Sequence, residues 1–399
     1  MKVLHICFSD IEGGAARAAY RLHSAQIKHG VDSNMLVVDK LSDDAKVYRL
    51  PRWKRLLIKV SSSLSQKLLK LSRTSNTTHH SLNLFPSFIR AEIDRISPDI
   101  VNLHWIGNDM LSISEIVKIK QPIVWTFHDM WGICGAEHYE SLKLPGITSK
   151  KEDTSSSWLS KFLVKFKQKK WQNKHIHIVS PSLWLKKCIE DSDVFSNVSI
   201  SYVQNCLNHK TFKYIPSTLA RQVLGLPENK KIVLFGAMSS TSDPRKGFQY
   251  LRDALRQLSN KEDVLAIVFG ASSGDEDLGV SVKYMGRVHD DVTLMLMYNA
   301  ADVFVGPSLQ DNLPNTFAEA LACGTPCVGF NIGGISDLII DRYQGELCPE
   351  VSSKSLCDTI TSVLNGCYQR ENIAVMASDM RNERKIVAKY SEIYISELR

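Results

Sequence analysis

Two open, parallel α/β sheets in tandem are the fold this sequence predicts, and three observations carry the prediction. The chain has 399 residues, more than one core usually serves, so two domains of roughly 200 residues are expected. Apolar runs of strand length alternate with helical stretches, as in βαβ units. Around residues 205–230 the pattern breaks, with Pro216, Gly225 and Pro227 punctuating polar sequence, and then it restarts.

Val3 to Phe8 reads as the first strand, broken by Glu12-Gly13-Gly14. Ala15 to Lys28 reads as a helix that Gly30 closes, and Met35 to Val38 as the next strand. Asp99 to Leu103, Pro122 to Thr126 and Ile176 to Ser180 follow as buried parallel strands. In the second half, Lys231 to Gly236, Val264 to Phe269 and Ala301 to Val305 read as strands, and Lys246 to Leu258 as a helix. Open sheets of this kind take ligand at the carboxyl ends of their strands.

Composition is that of a globular chain, 44% apolar and 23% charged, which excludes long disorder. The net charge of +7 is uneven: 29 Lys and Arg face 19 Asp and Glu up to residue 200, and 20 face 23 after it. A basic first half points to an anionic partner or surface. Two stretches hold much of it: Arg52 to Leu71, amphipathic with many Lys and Ser, and Trp158 to Trp171, which interleaves Trp and Phe with lysines. They suit an anionic membrane surface; the plain alternative is a solvated helix face packed on the core. No nucleic-acid motif accompanies them. Nine scattered cysteines without a Cys-x-x-Cys pair fit reduced thiols in the cytosol. No signal peptide and no run of about 20 apolar residues is found. Asp191-Ser192-Asp193 and Asp275-Glu276-Asp277 read as solvated surface, so no metal site is expected.

The richest segment runs from Asp311 to Glu319. A polar loop follows a strand, Pro314 precedes a helix, and Gly324 and Pro326 end it. The amides of Asn315 and Thr316 would then make an anion site backed by the helix dipole. Glu319, a turn into the helix, could grip two adjacent hydroxyls such as a ribose diol, or stand as a solvated helix residue with Asp311 a cap. Asp243 to Gly247 also follows a strand, and its Arg245 and Lys246 suit a diphosphate whose charge grows as it leaves; alone, such a turn is more often solvated. Gly13-Gly14 lacks the third glycine of a dinucleotide fingerprint, which disfavours a dehydrogenase.

Taken together, Arg245-Lys246-Gly247, Tyr284 to Val288, Ala301-Asp302-Val303, Asp311 to Glu319, Ala322 to Pro326 and Gly333-Gly334-Ile335 resemble the retaining GT-B glycosyltransferases of family 4. Asp311 and Glu319 match that family's pair of acidic residues separated by seven others. Gly13 to Arg17 and Thr126 to Trp131 resemble members that build bacterial polysaccharides of O-antigen, capsule or colanic-acid type. The resemblance spans nearly the whole chain.

It implies a GT-B fold, two Rossmann-like domains facing a cleft. Residues 1–205 would form the acceptor-side domain and 206–380 the nucleotide-sugar domain, with 381–399 a helix crossing back to the first. Glu319 would hold the donor ribose, Arg245 and Lys246 the diphosphate, and the amides from Leu313 through Asn315 to Thr316 the sugar and phosphates. Asp311 would stand near the sugar hydroxyls, Val288 at the nucleobase, Gly14 near the phosphate and acceptor, and His128 beside the transferred sugar. Gly132 to Tyr139 would help to shape the acceptor pocket. The reaction implied is retaining, metal-independent transfer of a hexose or N-acetylhexosamine from a nucleotide diphosphate sugar, with no cofactor. Its acceptor would be a lipid-linked saccharide at the cytoplasmic face of the inner membrane, with the enzyme peripheral there. The family has Glu where this chain has Asp311, one methylene shorter, so donor identity stays open. A sugar-nucleotide epimerase of the same fold and a non-catalytic membrane-bound scaffold remain as alternatives.

Overall fold

The computed structural model describes residues 1–72, 76, 78–141, 158–196, 198–236, 243–274, 276–288 and 290–399. The chain divides into two compact units, Met1–Cys206 with Glu383–Arg399, and Leu207–Asn382.

In the first unit the strands are β1 (Lys2–Ser9), β2 (Asp32–Asp39), β3 (Val47–Arg49), β4 (Ile100–Leu103), β5 (Ile123–Thr126), β6 (Ile176–Ser180) and β7 (Ser199–Tyr202). They form one sheet in the order β3-β2-β1-β4-β5-β6-β7, and every pairing is parallel. In the second unit β8 (Lys231–Gly236), β9 (Val264–Phe269), β10 (Ser281–Tyr284), β11 (Val303–Gly306), β12 (Cys327–Phe330) and β13 (Gly345–Cys348) pair, again all parallel, as β10-β9-β8-β11-β12-β13. Each order reverses beside its first strand, at β1/β4 and β8/β11, the switch points where doubly wound sheets open a crevice at their carboxyl ends. The fold is α/β, with two Rossmann-like domains in tandem.

The central strands read as continuous apolar runs because helices cover both faces. Val3, Leu4 and Ile6 of β1 are fully buried, as are Ile232, Val233 and Leu234 of β8. Burying each such side chain contributes about 1.5–3 kcal/mol. Segments at the punctuation differ from expectation. The helix expected from Lys246 begins at Phe248, because Gly247 takes the left-handed conformation, φ 63°, and a Cβ there would overlap the Pro307 carbonyl oxygen. The strand expected from Ala301 begins at Val303, because Asp302 turns outward to pair with Arg221 at 2.8 Å.

The final helix, Glu383–Glu397, lies on the first unit. Its Ile386, Val387, Tyr390, Ile393 and Tyr394 share a core with Val3, Leu22, Ile100, Val124 and Val179. Glu383 pairs with Lys28, and Glu397 meets His175 and His177. All nine cysteines are free thiols.

Candidate functional site

Three loops of the second unit meet at Asp311. Its carboxylate accepts from Lys246 Nζ at 2.7 Å, which ties the loop after β11 to the loop after β8. A second stitch is Leu309 N donating to the Arg245 carbonyl at 2.6 Å. The Asp311 carbonyl accepts from Gly334 N at 3.1 Å, bringing in the loop after β12. Gly333 is required there, since its φ is 60° and a Cβ would overlap that same carbonyl oxygen. Lys246 and Asp311 keep 36% and 15% of their side chains exposed, so the pair stays within reach of solvent and ligand.

Arg245 is not an uncommitted cation. Its Nη2 and Nε lie 2.7 and 3.2 Å from Asp243 oxygens, and the Asp243 side chain also accepts the Arg245 amide at 3.1 Å. The Asp-Pro-Arg order makes this self-clasp: Asp243 caps the short 3-10 turn Pro244–Lys246 and meets the guanidinium two residues on. Lys246 is thus the cation aimed across to the next loop.

The helix Asn315–Ala322 starts after Pro314 with no side-chain cap, so its first turn points backbone N–H groups past the strand ends. Phe317 fixes its position. The ring packs where a Cβ on Gly306 or Gly329 would collide, which explains glycines in two adjacent strands. Glu319 is only 3% exposed, so the solvated-helix reading fails; its Oε2 accepts from the Tyr298 hydroxyl at 2.9 Å. Leu313 is in the core, so only its backbone is available to a ligand. Val288 is partly buried against that core, at the end of β10 beyond Gly286, whose φ is 70°.

The first unit builds a different rim. Gly14 is the first residue of the helix Gly14–Lys28, behind Gly13 at φ 94°. Asp10 closes the loop before it by accepting amides from Ile11, Leu41 and Ser42 at 2.8–3.1 Å. Burial works against that carboxylate's charge, yet these donors hold its pKa below the usual value. His128, half-buried beyond β5, sits 3.0 Å from His104 through its Nε2. Beside it, Asp129 accepts from Trp105 Nε1 at 2.7 Å and contacts His138 Nδ1 at 2.6 Å. His138 Nε2 lies 2.8 Å from Ser81 Oγ. This has the order of a Ser-His-Asp relay, but Ser81 is 1% exposed and also receives the Asn108 amide. It clamps loops rather than presenting a nucleophile.

Gly132 to Tyr139, expected to shape an acceptor pocket, is largely buried. Lys167, from the helix Trp158–Trp171, is fully buried. It donates to the carbonyls of Trp131, Cys134 and Gly135 and lies 3.8 Å from the Trp131 ring centre. Burial lowers its pKa to about 7.

The two basic helices also part company. Trp158–Trp171 packs Leu159, Leu163 and Trp171 inward. Arg52–Leu71 buries only Lys54, Ile58, Ser65 and Leu69. Its Trp53, Leu56, Val60, Leu64, Leu68 and Leu71 are 44–75% exposed, in a second stripe at helical spacing. Lys54 is neutralised by Glu92 at 2.9 Å.

Asp191 is exposed, as predicted; Asp275 lies outside the described residues. Among the described residues no group of three or more His, Cys, Asp or Glu is placed to hold a metal, and no helix is long and apolar enough to cross a membrane. Sequence reasoning misses His5, His104 and Tyr298. A histidine immediately after the apolar strand Ile100–Leu103 is a usable signal for His104; Tyr298, inside an apolar helix, gives none.

Solved structures of known proteins share this architecture over the whole length. Sucrose-phosphate synthase from Thermosynechococcus elongatus matches with a TM-score of 0.67 at 17% identity, over 99% of both chains. HepE from Anabaena, solved in complex with UDP and glucose, matches with a TM-score of 0.66 at 17% identity, over 99% of this chain and 100% of that one. These likenesses define the fold as GT-B. Residues 217–379 match the family described as Glycosyl transferases group 1, so the second unit carries a group 1 glycosyltransferase domain. Phosphatidyl-myo-inositol mannosyltransferase of Mycobacterium leprae is 28% identical over 170 residues, 40% of this chain and 44% of that protein. Lipopolysaccharide 1,2-N-acetylglucosaminetransferase of Salmonella typhimurium is 26% identical over 232 residues, 54% of this chain and 58% of that protein. The chain therefore spans about half the length of the curated relatives it matches.

Proposed function

We propose that the protein is a retaining, metal-independent glycosyltransferase. It moves a hexose or N-acetylhexosamine from a nucleotide diphosphate sugar to a lipid-linked saccharide acceptor in the synthesis of a bacterial surface polysaccharide. The observation that carries this reading is the rim of the second sheet. There Lys246 pairs with Asp311, and an uncapped helix start stands one turn before the buried Glu319. A cation beside helix amides stabilises a departing diphosphate, and a buried carboxylate suits a ribose diol. In this reading Lys246 and the amides of Leu313, Asn315 and Thr316 receive the diphosphate, with Arg245 beside them, and Glu319 holds the ribose. Val288 edges the base, and Asp311 faces the sugar hydroxyls. Gly14 and His128 serve from the first unit, His128 meeting the transferred sugar. The match to a lipopolysaccharide N-acetylglucosaminetransferase supports the acceptor class.

Nucleotide sugars tested singly for thermal stabilisation check the donor. A ligand at 100 times its Kd adds about 2.7 kcal/mol. If no nucleotide diphosphate sugar raises Tm, the donor reading fails, and with it the enzyme class.

The partner surface in this reading is an anionic membrane, met through the exposed stripe of Arg52–Leu71. That helix contains no acidic residue, and Arg52, Lys59, Lys67 and Lys70 are exposed beside the apolar row. Apolar side chains entering the headgroup boundary with lysines at its edge give additive hydrophobic and electrostatic attraction. The enzyme would then be peripheral on the cytoplasmic face of the inner membrane. Flotation with vesicles containing anionic phosphatidylglycerol checks this: binding is expected there and weak with neutral phosphatidylcholine. Equal recovery from both, or from neither, rejects it.

A further inference from the structure

β1, β4 and β5 lie side by side in the first sheet, and each brings a histidine toward the same rim. His5 Nδ1 lies 2.9 Å from His104 Nε2, and His104 Nδ1 lies 3.0 Å from His128 Nε2. The row continues away from the rim: His5 Nε2 is 2.9 Å from the Gln26 amide oxygen, and the Gln26 amide nitrogen donates to the Tyr394 hydroxyl at 3.1 Å. Asn102 donates to that hydroxyl as well, at 2.7 Å. Gln26 belongs to the helix Gly14–Lys28 and Tyr394 to the returning C-terminal helix. His5 and His104 are 0% and 3% exposed.

None of the three rings is charged near neutral pH. Burial lowers His5 to about 3, helped by His23 and opposed by Gln26. Burial, then His5 and His128, holds His104 well below its usual value. Burial lowers His128 to about 4 against the pull of Asp129. Other titratable groups near the row include His23, whose ring is 6.0 Å from that of His5, Asp44, 3.5 Å from His23, Tyr20 and Lys46, which also face His23, and Tyr394 at the far end.

A neutral imidazole has one N–H and one lone pair. Three such rings joined in line must therefore all donate in the same sense, and whatever bonds the first ring decides what the last one shows. With the Gln26 oxygen against it, His5 carries hydrogen on Nε2 and accepts at Nδ1. His104 then donates through Nε2 and accepts at Nδ1, and His128 donates through Nε2. We propose that Gln26, His5 and His104 are positioning residues that lock His128 as the Nε2–H tautomer, so that its Nδ1 lone pair accepts a hydrogen bond from a substrate hydroxyl. The role toward substrate rests on the reading of His128 given above; the lock itself does not. An imidazolium would attract any phosphate, whereas a fixed neutral acceptor selects a hydroxyl. The return of the C-terminal helix gains a function beyond packing, since Tyr394 holds the far end of the row.

Long-range proton–nitrogen correlation spectra of the full-length protein, labelled with nitrogen-15 histidine, test the lock without any assay. One set of His128 signals is expected, Nε2 protonated and Nδ1 bare, unchanged from pH 8 to 5.5. A protonated Nδ1, an averaged pattern, or protonation of the ring within that range overturns it. Gln26→Met keeps the volume and removes the amide; averaged His128 tautomers and a kcat about tenfold lower at unchanged donor KM are expected, the scale of one hydrogen bond. If that variant fails to fold, Tyr394→Phe loosens the same end. A fall in kcat with the His128 tautomer intact also overturns the proposal. A locked tautomer in a protein that transfers no sugar defeats the proposed function and leaves the lock standing.

Discussion

In the first sheet β1, β4 and β5 each bring a neutral histidine ring into one joined row, while beyond β8 and β11 of the second sheet the cations stand in ion pairs that solvent reaches. His5 and His104 are 0% and 3% exposed; Lys246 keeps 36% of its side chain in contact with water, and Asp243 25%. Apart from the added edge strand β7, strand order and switch point are the same in both sheets, so topology does not set this difference. Desolvation does. A carboxylate or ammonium taken fully out of water costs several kcal/mol, whereas a neutral imidazole with both nitrogens bonded can be buried at little cost. The row of rings can therefore lie deep, whereas Arg245 and Lys246 of the second rim stay near the surface, where an anionic ligand reaches them; Glu319, the buried carboxylate of that rim, has the Tyr298 hydroxyl as a donor.

Lys246→Ala attacks the charged rim directly and carries the largest expected effect on activity. It removes the cation aimed at a diphosphate and leaves Asp311 unneutralised, so kcat/KM should fall about 10²–10³-fold, the range for loss of one preorganised charge-stabilising group. The unit should stay folded, because a solvent-reached ion pair contributes only about 0–1 kcal/mol. Steady-state kinetics beside a melting curve check both halves. A Tm drop with unchanged kinetics would show the pair to be structural. Glu319→Gln keeps the shape and the Tyr298 contact but removes the charge; donor KM should rise by about tenfold, since hydrogen bonds to a charged group contribute about 1.5–3 kcal/mol.

Gly333→Ala breaks the same rim through its backbone. The position is left-handed and faces the Asp311 carbonyl. The strain of about 1–2 kcal/mol is compounded by overlap with main chain, so the loop has to move. Calorimetric melting of the second unit should shift down by several degrees, and donor affinity should weaken with it. An unshifted melt would mean that the loop after β12 is loosely held.

Much of this contrast is legible in the amino-acid sequence. Alternating apolar runs and the polar break near residue 205 predict two parallel sheets, because fully buried strands need continuous apolar sequence. Lys231–Gly236 and Val264–Phe269 form strands over the same residues that their apolar runs mark out. The Asp311–Glu319 spacing locates the second rim, since Pro and Gly punctuate a helix whatever lies around it. What stays hidden depends on distant parts of the chain or on how side chains turn. Nothing in the composition near Arg245 says that Asp243 clasps it, and Lys167 reads as one more lysine of a basic helix. The row of His5, His104 and His128 joins residues 99 and 24 positions apart in sequence, a pairing that only sheet order creates. The two basic helices read alike because composition cannot say which face is covered.

Lys167 tests the neutral side of the comparison, with the smallest expected effect. Its pKa falls from the usual lysine range to about 7 because it is buried, with the Cys134, Glu137 and Asp129 sites opposing. The unfolded chain binds this proton up to its unperturbed pKa of about 10.4, and the folded one releases it near 7. Between those values the unfolded state holds more protons, so this residue makes stability rise with pH, by at most about 1.4 kcal/mol per unit. Below pH 7 both states hold the proton and the contribution is flat. Lys167→Met retains an unbranched chain against Trp131 and removes the titration. The stability of wild type relative to this variant, from urea melts of the first unit, should therefore grow from pH 7.5 to 9. Using the difference between the two proteins cancels the buried thiols Cys7 and Cys206, which are raised to about 11 and 12 and whose shift makes stability fall as pH rises above about 8.5. A constant difference would mean that Lys167 is charged throughout, held by its three carbonyls and the Trp131 ring, and the rim of the first unit would then contain a buried cation after all.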